Sequence, residues 1–330
     1  GKQVFVSGMS ALVTDLKDLC EQEEPIYVAI AVILACAAMM IFLDGWLVPF
    51  VFLASIGMWV NTDVLEATGA TMPEEWTTWE AFADAMETVR VNGEAMGYYS
   101  YGSGQGSIRM FNAALAATPA GAEMLKGPLT ADAINSEEFA DAFRTVATLD
   151  QQNGSANSSV NANDFAADFN NGLSAVFING VWGASQFAGS DNFVSCIYPN
   201  SVAISSANTG LYVANDLSDA QKELALEFIK YMTSEEVQSR YFLETSSNPI
   251  NENVDIQKLA QESGDPTALK LAEACDKCNK ADTIVLAIDV CWGNDVGGAL
   301  QNKFAECAVA GTDIEAKLAE LQAELTALIG

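Results

Sequence analysis

The chain has 330 residues, enough for two domains with a sizeable core each, and 15 Lys and Arg against 44 Asp and Glu give it a net charge of −29. So acidic a surface repels the phosphates of nucleic acid and of anionic lipid, which bind through basic faces, and no nucleic-acid partner is expected. With no histidine there is no Ser-His-Asp or Cys-His catalysis and no imidazole metal site; on composition alone, a hydrolase working through two carboxylates stays open.

Residues 1–24 are polar. Ile26–Leu43 follows with 18 residues and no charge, about 27 Å as a helix and close to the thickness of a bilayer core. After a turn at Asp44-Gly45, Trp46–Val60 is a second apolar run that contains Pro49. The pair predicts a helical hairpin through a membrane, 26–43 and 46–60. A hairpin buried in a globular core is the alternative, although neither run shows the polar face of a surface helix.

From Asn61 the pattern changes to amphipathic helices alternating with short apolar runs. Glu80–Val91 reads as a helix, with Trp79, Phe82, Met86 and Val89 at core spacing. Another opens at Ser136 and runs toward Gly154 through Phe139, Phe143, Val146 and Leu149. Gln151–Asn163 is polar and reads as a surface loop, and Ala175–Asn179 as a short strand. Ser218 with Gln221 matches a capping box ahead of a Leu224–Met232 helix. Asp265-Pro266 caps the next helix, and Asp313–Leu328 is a last amphipathic one. Strands alternating with helices argue for an α/β layered architecture.

Two local patterns carry little chemistry. Cys275 and Cys278 form a CxxC on a predicted helix, without a second pair to complete a zinc site, and an i,i+3 pair suits a disulfide poorly. The thiols read as free or structural, with a disulfide among the last four cysteines as the alternative. The glycine cluster Gly102–Gly106 has no Lys-Ser/Thr ending and no preceding Val-rich strand, so it is not a phosphate loop.

Four stretches, in order, are similar to the sugar-binding proteins of bacterial ABC importers, the maltose-binding protein among them. They are Trp59–Asp63 with Val64, Leu65, Gly69, Pro73 and Thr78–Phe82; Phe169–Gly172 with Ala175–Trp182; Ala220–Ala225 with Glu227–Ser234 and Asn248–Asn251; and Gly311 with Ile314, Glu315, Leu318 and Leu321. Ahead of them, Gly8–Ala11 with Asp15, Leu16 and the apolar pair resembles part of an exporter of the resistance-nodulation-division type. The two resemblances imply a fusion of two truncated genes, with the lipid bilayer as partner of residues 26–60 and the solute-binding part anchored on the outer face of a cell membrane.

The first resemblance implies a type II periplasmic-binding-protein-like two-lobe fold, α/β, lacking the first part of lobe one. Residues 1–60 would be the membrane segment, 61–208 lobe two, and 209–330 the remainder of lobe one with the C-terminal helices. It implies a sugar binder with ABC permease subunits as partners, no cofactor and no enzymatic activity, its binding weakened by the missing part. A membrane-transport fragment is the alternative. Sugars are held by aromatic faces and forked polar groups. The resemblance makes Trp182 a stacking aromatic and Trp292 a second, and Trp59 is expected at the lobe crossing. The run Tyr98, Tyr99, Tyr101, Ser103, Gln105 and Ser107 reads as a polar-aromatic loop facing the cleft, with Asn179 beside Trp182. Arg109 either caps that loop or binds ligand. Trp76 and Trp79 are assigned to packing.

Overall fold

A computed structural model describes residues 50–51, 54–99, 101–153, 162–187, 191–206, 210–211, 213–214, 216–245 and 247–330. The chain forms two compact units, residues 1–50 with 210–234 and residues 51–209 with 235–330.

In the larger unit the strands are β1 (Ala54–Asn61), β2 (Met96–Tyr99), β3 (Ser174–Gly180), β4 (Phe193–Cys196), β5 (Val202–Ser206) and β6 (Thr283–Leu286). They form one sheet in the order β2-β3-β1-β5-β6, with β4 also paired to β1. β1 runs antiparallel to β3, with Ile56 opposite Gly180 and Val60 opposite Val176, and its other edge meets β5 and then β4. The β2–β3 and β5–β6 pairs are parallel.

β1 corrects the expected second membrane helix, because residues 54–60 of the 46–60 run are the central strand of this sheet. A strand covered on both faces reads as near-continuous hydrocarbon, as a membrane helix does, and eight residues cannot separate the two. The first expected helix, 26–43, lies outside the described residues. Among the described residues no helix is long and apolar enough to cross a membrane.

Side chains alternate across the sheet and meet helices on both sides. Ile56, Met58, Val60, Val176, Ile178 and Ile204 face one cluster, which includes residues of α2 (Trp79–Asn92), α3 (Tyr101–Ala116) and α4 (Glu137–Asn153). Trp59, Phe177 and Ala203 face the other, with Phe169, Phe187, Phe193, Phe242, Leu271 and Cys275. Trp76 and Trp79 are both buried in the first cluster, Trp79 at the core spacing of its helix. Gly57 is required where β1 passes β4, since a Cβ there would come within 2.5 Å of the Cys196 carbonyl oxygen.

Several helices start where the sequence predicts. Thr78 caps α2 through the Ala81 N–H, and Asp265 caps the helix Pro266–Asn279 through the Thr267 N–H. Asp313 caps the last helix, Ile314–Ile329, through Ala316. In the smaller unit, Ser218 and Gln221 form the expected capping box at the head of Asp219–Met232. The stretch 98–107 departs from expectation. Tyr98 ends a strand, and a helix begins at Tyr101 despite glycines at 102, 104 and 106, each of which disfavours a helix by about 1 kcal/mol.

Candidate functional site

A polar recess forms where α3 passes the turn Ile288–Cys291 and the start of the helix α5 (Asn294–Cys307; Thr62–Thr68 is α1). It holds about 240 Å³ and is lined by Ile108, Arg109, Asp289, Asn294, Gly297, Gly298 and Gln301. That is somewhat below the usual span of small-molecule sites, roughly 300–1,000 Å³, and the recess is open to solvent on one side. Glycines help keep it open: an added Cβ at Gly298 would meet nothing within 4 Å, and one at Gly297 would approach Asp289 at 3.6 Å. Gly293 makes the entry to α5 at φ +89°, a left-handed conformation that other residues adopt only under strain.

Across this recess Arg109 and Asp289 form a two-pronged ion pair. Arg109 Nη1 donates to Oδ1 at 2.5 Å and Nη2 to Oδ2 at 3.1 Å. Burial alone pushes the Asp289 carboxyl up, but the hydrogen bonds and positive charge of Arg109, with a backbone hydrogen bond, outweigh it and hold the group below its ordinary range. Both side chains keep partial access to solvent, 18% and 24%. The pair is therefore fixed and locally neutral, while its polar edges reach the opening.

The residues singled out from sequence fall into separate places. Trp59, Asn179 and Trp182 meet around Gly180, where β3 ends in the turn Val181–Gly183. Trp59 Nε1 donates to Gly180 O at 2.9 Å, and Asn179 Oδ1 accepts from the Gly180 N–H at 2.9 Å. The Trp182 indole folds over Gly180 and stays 38% exposed. Trp59 is only 2% exposed, its ring tilted against Phe187 with centroids 5.2 Å apart, so it serves the core. Trp292 is buried as well, stacked on Phe139 with its Nε1 donating to Met124 O at 3.2 Å. Both indoles are packed into the core in this structure. A hollow beside Gly180, walled by Gly57, Trp59, Asn179, Ser195, Lys277 and Cys278 among others, holds only about 10 Å³, room for a water and not for a sugar.

Tyr98 is fully buried and donates its hydroxyl to Asp150 at 2.6 Å, away from solvent. Tyr99 ends β2, and Gln105 lies on α3 one turn before Arg109; their side chains lie outside those described. Asp289, Asn294 and Gln301 were missed from sequence. The sequence offered Arg109 as a cap of a loop or a ligand contact, and its pairing with Asp289 spans 180 positions.

The profile of bacterial extracellular solute-binding proteins matches residues 9–267. The chain belongs to this family. The match spans the segment that resembles an exporter hairpin, whose last part, 54–61, is a strand of this fold. Membership places the solute-binding protein's work outside the cytoplasm. Its structure is similar to a Streptococcus pneumoniae solute-binding protein in complex with the blood group A-trisaccharide, at 38% identity and TM-score 0.77, over 83% of this chain and 70% of that one. A chitin oligosaccharide binding protein superposes with TM-score 0.66 at 20% identity, covering 86% of this chain and 72% of that one. The sugar-binding protein MalE from Xanthomonas citri does so with TM-score 0.66 at 15% identity, over 84% and 69%. These two lower identities establish a shared fold alone. No curated protein sequence matches the chain.

Proposed function

We propose that this solute-binding protein takes an uncharged oligosaccharide into the recess at Arg109 and Asp289 and presents it to the membrane subunits of an ABC importer. The observation that carries the reading is the forked Arg109–Asp289 pair set in an open polar recess beside Asn294 and Gln301. Planar amide, guanidinium and carboxylate edges present paired donors and acceptors at the spacing of adjacent sugar hydroxyls. The trisaccharide held by the Streptococcus pneumoniae relative supports the ligand class. An anionic sugar is disfavoured, because Arg109 already has its carboxylate and the chain as a whole is strongly acidic.

At the Gly180 turn, apart from the lining of the recess, Trp182 is the aromatic we assign to stacking on sugar C–H faces, since it is 38% exposed against 8% for Trp292 and 2% for Trp59. Gln105 is assigned to the same wall as Arg109 from its place on α3. Asn179 shapes the Gly180 turn from within. The protein acts by binding and not by turnover.

Calorimetric titration with blood group A-trisaccharide, chitin oligosaccharides and raffinose tests the proposal. One-site binding of at least one sugar, with the sugar recovered unchanged by chromatography, is expected. Heats no larger than dilution for all of them, at millimolar concentration, would defeat it.

A further inference from the structure

Asn112 follows Arg109 by three residues on α3, and its side chain is wholly buried. Both ends of its amide are used. Nδ2 donates to Leu286 O at 3.2 Å, and Oδ1 accepts from the Ile288 N–H at 2.9 Å. These groups flank Ala287, whose own N–H donates to Ser205 O at 2.9 Å as the chain leaves β6. A strand turning out of its sheet leaves backbone groups to be paired elsewhere, and an amide, with donor and acceptor on one planar group, can serve both.

The next residue along is Asp289. Its Cα is therefore set by where the Leu286–Ile288 backbone docks on α3, and the same helix supplies Arg109 one turn earlier. We infer that Asn112 is a positioning residue for the recess: it docks the exit of β6 onto α3 so that the Asp289 carboxylate lands on the Arg109 fork. Alanine at 112 would orphan both backbone groups. Serine is too short to span them and keeps only one polar group. The consequence for sugar affinity rests on the recess being the binding site; the docking itself does not.

The test uses the full chain with Asn112→Ala and Asn112→Ser, following the Asp289 carboxyl by carbon-13 NMR as pH falls. Arg109→Ala in the same assay marks where Asp289 titrates without its partner. Displacement of the Asp289 titration toward the Arg109→Ala position, with affinity for blood group A-trisaccharide about tenfold weaker, is the expected result. An Asp289 titration unchanged in both variants would overturn the inference. So would unfolding of both, which would make Asn112 a residue of overall stability. If the unaltered protein binds no sugar, the recess reading fails while the Asp289 titration still decides the positioning role.

Discussion

The six-membered ring of the Trp182 indole occupies the space that a Cβ on Gly180 would need. The backbone at Gly180 is thus the seat of an aromatic that is 38% exposed, and its carbonyl holds the buried Trp59 from beneath. Gly180→Ala would push the indole off this seat. Overpacking of this kind costs about 1–3 kcal/mol. A red-shifted tryptophan emission and a lower melting temperature are expected, whereas Trp182→Ala should weaken sugar binding and leave melting almost unchanged. An unaltered spectrum for Gly180→Ala would show that the indole does not rest there.

The Arg109–Asp289 pair makes a prediction on the acid side. Asp289 titrates below its ordinary value in the fold, so the stability it confers is present above the unfolded carboxyl pKa, about 3.9, and is lost as pH falls through the lower folded value. Urea unfolding between pH 5 and 2 should therefore show Arg109→Ala losing less stability on acidification than the unaltered protein. Parallel curves would argue against the fork.

Asp150 acts with the opposite sign. It is fully buried against Tyr98, its Oδ2 has no hydrogen-bond partner, and burial raises its pKa to about 7 although bonds from Tyr98 and Ser107 pull it down. The fold holds this proton more tightly than the unfolded chain does. Stability is fully present below about pH 4 and is lost as pH rises to about 7, at about 1.4 kcal/mol per unit. Asp150→Asn should flatten that fall and raise the melting temperature at pH 8. Equal melting temperatures for the two proteins at pH 5 and pH 8 would contradict it.

Trp59 and Trp292 should behave as core residues. Trp59→Ala removes a 2% exposed side chain from the middle strand, a change that costs about 3–5 kcal/mol. Trp292→Phe removes the bond to Met124 O, about 1 kcal/mol, together with part of a buried ring, and should lower stability while leaving sugar affinity within twofold. A large loss of affinity without loss of stability in either variant would restore the ligand contact that the sequence suggested.

Much of the fold could be read from the chain because its signals are local. The caps at Thr78, Ser218, Asp265 and Asp313 announce helices within four residues of themselves. β1 could not be read, since its apolar run becomes a strand only through partners more than 115 positions away, β3 among them. The family was legible at Trp182 and its neighbours. The recess was not, because Asp289 gains its meaning from Arg109 through a contact 180 positions long, and an acidic residue in a chain with 44 of them carries no mark of its own.

The most direct measurement is a pair of calorimetric titrations, the unaltered protein and Arg109→Ala, with one oligosaccharide that the unaltered protein binds. Losing hydrogen bonds from a charged group costs about 1.5–3 kcal/mol, so affinity should fall roughly ten- to a hundredfold while circular dichroism stays the same. Equal affinities in the two proteins would contradict a sugar site at Arg109.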